Sequence, residues 1–297
     1  GLKVQMALRN AGGAPGDLIG DVSVEAQTAQ VLFNVQNFGS RQLGREIATL
    51  RGEIYGLTGF ADRTYLSYSN SLQWNETHIG QVGHDMALND NGLRLGVRLN
   101  LAQSEPSIPN LHLQSRSLIA GMELSTQLLK SVNGSISTTA GLEVLNQATR
   151  ILSGSTDVPF THDQTRELFA RVNGSYIRRA QNGSPVFHID GYAEIRKGLD
   201  IFSASETGKV AGGFAPSRFE GDPMATVIRG EIDTGVALVP GLLSIDAQLF
   251  GQWANHALLN LDEFSIGNFT FGRGYDPGAN GGDRAIAGRM EPRVTLG

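Results

Sequence analysis

At 297 residues, with a formal net charge of −5, no cysteine and a mean hydropathy of −0.14, the chain is long enough to bury a sizeable core. These totals exclude the basic footprint of a nucleic-acid binder, a disulfide scaffold and a cysteine-based zinc site. No run of about 18 apolar residues occurs, which excludes a transmembrane helix; a membrane β-barrel, whose apolar and polar residues average out, stays open.

In chain order, the sequence starts Gly1-Leu2-Lys3 with no initiator Met, so a mature or truncated N-terminus is expected. "VQMALRN", the loop "AGGAPGD" and "LIGDVSVEA" read as two short strands of a small soluble module in residues 1–29. From Val31 onward the pattern is period two. Leu118, Ala120, Met122, Leu124 and Leu128 fall on one face of their segment, and Glu123, Ser125 and Gln127 on the other. Phe187, Ile189, Gly191, Ala193 and Ile195 oppose His188, Asp190, Tyr192, Glu194 and Arg196. Ile228, Gly230, Ile232 and Val236 oppose Arg229, Glu231 and Asp233. Leu243, Ile245, Ala247, Leu249 and Trp253 oppose Ser244, Asp246, Gln248 and Gln252, and Ile286, Gly288, Met290 and Val294 oppose Arg289, Glu291 and Arg293. Charge is confined to one face of each strand.

A soluble β-sandwich alternates too, so the connections decide. Asn91-Gly92, Asn133-Gly134 and Asn182-Gly183 are type I′ hairpin signals, and Pro240-Gly241 and the Gly59 region mark two further tight turns. Between them come longer stretches: "SRQLG", "QWNET", "QSEPSIPNLHLQ", "SGSTDVPFTHDQT", "SASETGKVAGGFAPSRFEGDPM" and a run ending "FGRGYDPGANGGDR". Short turns alternating with long loops are the asymmetry of an outer-membrane barrel. The fold class expected is therefore all-β: a transmembrane antiparallel β-barrel over residues 30–297, with about eleven complete strands and the start of a twelfth, and a long loop at 258–285. A chain ending "RVTLG" in mid-strand leaves open edges that hydrocarbon penalises, so a fragment is expected.

Phe271-Gly272-Arg273-Gly274-Tyr275, then Gly282-Asp283 and Glu291, resembles the conserved-loop signature of two-partner secretion transporters, the haemolysin secretion/activation proteins, which are related to the barrel-assembly insertases. "VQNFGSRQLGR" and "GLTGFADRTYLSYSNS" are similar to the family's opening barrel segments, and "PGDLIGDVSVEA" resembles the end of its second periplasmic POTRA module. The family has a sixteen-stranded barrel, two POTRA modules and a plug helix. Against that template residues 1–29 are the C-terminal remnant of the second module. The family usually has Val before Arg-Gly-Tyr/Phe, and here Gly272 stands in that place.

The resemblance implies that the long loop folds back into the lumen, where Arg273 forks onto a carboxylate. In the family this is an aspartate on a later strand; Glu231, Asp233 and Glu291 are secondary candidates. Gly272 and Gly274 would let the backbone pass close to the wall, and Tyr275 would lay its ring there. Glu143, Arg171, Glu194, Arg196, Arg229, Glu231 and Asp233 are expected to line the lumen, as a solvated interior face or as a path for unfolded polypeptide. The six histidines at 78, 84, 112, 162, 188 and 256 form no metal-ligand pattern, and no nucleophile elbow occurs, so neither an enzyme nor a cofactor is expected. The implied function is export of a secreted exoprotein, with an N-terminal secretion domain, across the bacterial outer membrane, with the membrane lipid as surroundings and no nucleic-acid partner. An insertion barrel of the same superfamily, a diffusive porin or a soluble sandwich are the alternatives.

Overall fold

The computed structural model describes residues 2–13, 16–74, 76–153, 156–267 and 271–295. Part of the glycine-rich run, 268–270, parts of three expected connections, 14–15, 75 and 154–155, and the last two residues of "RVTLG", 296–297, lie outside them. Seventeen strands are formed and no helix among the described residues: β1 (Leu2–Asn10), β2 (Leu18–Ala26), β3 (Ala29–Gln36), β4 (Ile47–Tyr55), β5 (Arg63–Ser71), β6 (Thr77–Ala87), β7 (Arg94–Ser104), β8 (Ser107–Ile108), β9 (Leu111–Lys130), β10 (Gly134–Ser153), β11 (Thr156–Arg179), β12 (Pro185–Gly198), β13 (Thr226–Val239), β14 (Leu243–Ala254), β15 (Phe264–Ile266), β16 (Asn280–Gly282) and β17 (Ala285–Val294). Twelve of them form one antiparallel meander in the order β17-β14-β13-β12-β11-β10-β9-β7-β6-β5-β4-β3, with β8 beside β9. β1 and β2 pair as a separate hairpin, as do β15 and β16.

Burial is distributed inside out. Among the described residues Glu53, Asn70, Asp163, Thr165, Glu167, Glu194, Arg196, Gln248 and Gln252 are buried, whereas Leu50, Leu66, Val82, Val97, Met122, Val172, Ile195, Ile232 and Leu249 are exposed. Ile286 on β17 is 87% exposed. Water would expel such a surface at roughly 25 cal/mol per Å² of apolar area, and lipid would not. The period-two assignment of faces follows this division on β9, β12, β13, β14 and β17, because side chains of successive residues leave a strand on opposite sides.

The connections fall into two sets. One rim has the short turns at 56–62, 88–93, 131–133, 180–184 and 240–242, and the linker from β2 enters β3 there. Gly59, Gly92, Gly183 and Gly241 take positive φ in these turns. The preceding Asn91 and Asn182 do not, so the type I′ expectation fails: Asn89 Oδ1 accepts from the Asn91 and Leu93 amides, and Asn182 Oδ1 from the Ser184 amide, which fixes a longer turn needing only one left-handed residue. At Asn133-Gly134 neither residue has positive φ, and Gly134 already belongs to β10.

The other rim has the long connections, with one correction. The described residues of "SGSTDVPFTHDQT" all belong to strands: Ser153 pairs with Thr156, and the ladder between β10 and β11 runs on with one bulge at Thr149/Arg150. β9, β10 and β11 have 20, 20 and 24 residues, about twice what a membrane crossing needs. β12 pairs with β11 only up to Glu167↔Gly198, so residues 156–166 would present a bare edge. The segment 199–225 covers it. Thr161 bridges Ala215, the Ser205 amide donates to Gln164 O at 2.9 Å, and the Ser217 amide donates to Asp163 Oδ1 at 2.9 Å.

Candidate functional site: an inward-folded loop

Residues 255–284 leave β14 and return as β17 on the long-connection rim. Phe250 is the one large apolar side chain between Gln248 and Gln252 on the polar face of β14, and the loop docks on it. Phe264 of β15 stacks on Phe250 with ring centroids 4.7 Å apart, and Phe271 closes the trio at 6.2 Å and 6.1 Å from the two. Such pairs add about 0.5–1.5 kcal/mol each beyond their buried area. Leu258 and Leu259 are buried at the loop's start, Leu258 in a cluster with Ala225, Val227 and Ala254.

After Phe271 the chain reverses, the Tyr275 amide donating to Gly272 O at 2.9 Å. Gly272 takes φ 73°, while Gly274 has no positive φ and open space where a Cβ would stand. The reversal corrects the expectation for Tyr275: it turns away and is 65% exposed, and Phe271 supplies the wall contact instead. Gly267, at φ 92°, sits with its missing Cβ position 1.8 Å from Asp276 O. Gly267→Ala is therefore expected to break the loop's turn and make 255–284 cleavable by protease in the inserted barrel, at a backbone cost alone of about 1–3 kcal/mol. Gly274→Ala should leave the digestion pattern unchanged, and equal resistance of both variants would refute the assignment.

Among the described residues, ion pairs of three arginines hold the loop. Arg273 Nη2 meets Glu291 Oε1 of β17 at 2.9 Å, which picks Glu291 from the three expected secondary acids. Asp276 meets Arg45, in the connection after β3, at 3.4 Å, so the loop bridges the two ends of the strand path. Both partners are half exposed, and this contact contributes little energy. The third is denser. Asp283 accepts from Arg218 Nη1 at 2.6 Å and from the Leu258 amide at 2.8 Å; Arg218 also donates to Glu263 Oε1 at 2.6 Å and to Leu258 O at 3.0 Å. Burial works to raise the Asp283 carboxyl, but the Arg218 fork and the Leu258 N–H hold it below the usual carboxylate range. Arg218 thus staples 199–225 to 255–284.

On the wall, Arg196 Nε donates to Glu167 Oε2 at 2.6 Å, its Nη2 reaches Glu143 Oε1, and Nη1 lies 3.6 Å from Glu194 Oε1. Glu194 also accepts from Arg171 Nε at 2.8 Å and Arg229 Nε at 2.7 Å, and Glu143 from Arg98. Glu231 accepts from Gln248, and Asp233 lies 3.4 Å from His188 Nε2. All seven expected lining residues share the inward face; Arg98, Glu123 and Glu167 extend the same network. Among the described residues no group of three potential ligands could hold a metal ion. Sequence reading overlooked Phe250 and Arg218.

A family model described as haemolysin secretion/activation protein ShlB/FhaC/HecB matches residues 21–294. The chain belongs to the haemolysin secretion/activation family. Solved structures similar to this family member include CdiB from Escherichia coli, at a TM-score of 0.74 and 12% identity, covering 99% of this chain and 53% of that one. CdiB from Acinetobacter baumannii follows at 0.67 and 15%, covering 100% and 52%. BamA from Haemophilus ducreyi lacking POTRA domains 1–3 gives 0.56 and 10%, covering 93% and 51%. The chain spans about half the length of these structures. No curated protein gives a significant sequence match. The family is one of outer-membrane β-barrel proteins, and the inside-out sheet described above is its fold.

Proposed function

We propose that this chain is part of an outer-membrane transporter that exports one partner exoprotein through its lumen, and that residues 255–284 are the element that the cargo must displace or pass. The observation that carries the reading is the combination of an apolar outer face with an inner face of matched acids and arginines, across which a long loop is docked. Paired opposite charges keep a bore hydrated without gripping one sign of cargo. The short-turn rim, where β2 feeds β3, is the periplasmic one, and residues 1–29 are the tail of a periplasmic POTRA module that would receive the exoprotein's secretion domain by strand addition. With neither nucleotide nor membrane potential at this membrane, folding of the cargo outside supplies the drive. The family match favours secretion over the insertion activity of the related barrel-assembly proteins.

The test is Arg273→Ala in the intact protein. Export of the exoprotein, measured in culture supernatant, is expected to fall at least about tenfold, the equivalent of one charge-assisted contact. Heat-modifiable migration should show the barrel still inserted. Undiminished export would overturn the role given to the loop.

A further inference from the structure

Outward-facing side chains of a membrane barrel are ordinarily apolar until the strand leaves the hydrocarbon, and the first polar residue above that point sits among lipid headgroups. On β9 this residue is Arg116, directly above Leu118; on β7 it is Gln103, above Leu101; on β10 it is Asn146, above Val144. His78, Gln103, Arg116, Ala148 and His162 lie opposite one another in turn across β6, β7, β9, β10 and β11. Together with Leu101, Leu118 and Asn146 they line a shallow depression of about 680 Å³. Its floor is apolar, and Arg116 stands at its upper edge.

Arg116 is exposed, and among the described residues it has no hydrogen-bond, ion-pair or ring partner. The inward and rim arginines near it are committed: Arg98 to Glu123 and Glu143, Arg166 to backbone carbonyls of Leu145, Thr165 and Phe202. Arg150, opposite Gln114 and so one diagonal step above Arg116, lies over the Phe214 ring at 5.2 Å. Glu105, the carboxylate at the border, is occupied by the amides of Gln103 at 3.0 Å and Gln114 at 2.6 Å. His78 lines the depression and has its Nδ1 on the Tyr68 hydroxyl at 2.8 Å. An unpartnered guanidinium at the top of a lipid-facing strand is complementary to a phosphate, and Leu101 and Leu118 beneath it are complementary to an acyl chain.

We propose that this outward depression is a binding site for the phosphorylated headgroup of an outer-leaflet glycolipid, with Arg116 as its principal contact and His78 and Arg150 beside it. The inference rests on the orientation given above, with the long-connection rim outside. Lipid held there would bind against the base of the projecting β9–β10–β11 unit, and so would brace the rim on which the docked loop closes.

The experiment uses the full-length protein in phosphatidylcholine nanodiscs, titrated with diphosphoryl lipid A and, in a second arm, with the same lipid after removal of its phosphates, bound lipid being counted by native mass spectrometry. Arg116→Gln is expected to weaken binding of the phosphorylated lipid at least about tenfold, and Arg116→Lys by less, since a point charge replaces a bidentate fork. Lys130→Gln, at the opposite end of the same strand, should change nothing. Equal binding by Arg116→Gln and the unchanged protein, or equal binding of the two lipids, would overturn the site. Either result would leave the transport reading standing if Arg273→Ala still stops export, so the two can fail separately.

Discussion

Arg196→Ala is expected to destabilise the barrel by about 3–5 kcal/mol, the range for removing one partner of a buried charge pair. Glu194 would keep Arg171 and Arg229, and Glu143 would keep Arg98, but Glu167 loses its only ion-pair partner among the described residues. The cost therefore falls on one identifiable carboxylate, whose side chain is 9% exposed. Adding Glu167→Gln to Arg196→Ala should restore much of the loss, because the orphaned charge disappears with it. Urea titration of the protein folded in vesicles reads both effects. A shift of less than about 1 kcal/mol for the single variant, or no recovery in the double, would show that lumenal water solvates Glu167 well enough to make the pair dispensable.

Arg218→Ala is expected to release segment 199–225 from the inward loop. Three carboxylates, Asp283, Glu263 and the exposed Glu220, lose their shared cation and the Leu258 carbonyl loses a donor; each hydrogen bond to a charged group contributes about 1.5–3 kcal/mol. Trypsin added to intact cells should cut within 199–225 in the variant and spare it in the unchanged protein, and export should fall although Arg218 is distant in sequence from the motif. Arg218→Lys should protect only partly, because an ammonium cannot fork. Identical digestion of the three proteins would refute the staple.

How much of this was legible beforehand follows from what each residue must satisfy. Strands facing lipid on one side cannot escape alternation, and so Ile228, Ile232 and Val236 opposite Arg229, Glu231 and Asp233 identified β13 and its orientation without coordinates. Above the membrane that constraint lapses. Residues 153–165 contain Ser, Gly, Pro and Asp and read as a loop, yet Ser153 and Thr156–Thr165 are carried by backbone pairing, since above His162 no lipid face dictates the side chains. Phe250 did carry a signal, an aromatic on an otherwise polar face. Arg218 carried none: it sits in an aperiodic stretch, and its partners Asp283 and Glu263 lie 65 and 45 residues away. Tyr275 misled because motif membership fixes a residue's neighbourhood and not its rotamer, which the turn at Gly272 decides.

The ladder between β10 and β11 continues for eleven residues of β11 past its last pairing with β12, roughly 35 Å of ribbon at strand rise. With the long-connection rim outside, the part of this ribbon beyond the headgroup row at His162 would project from the membrane, where antibodies and phages could reach it, and variation under immune pressure should concentrate near Ser153 and Thr156 while the lipid-facing rows beneath stay constant.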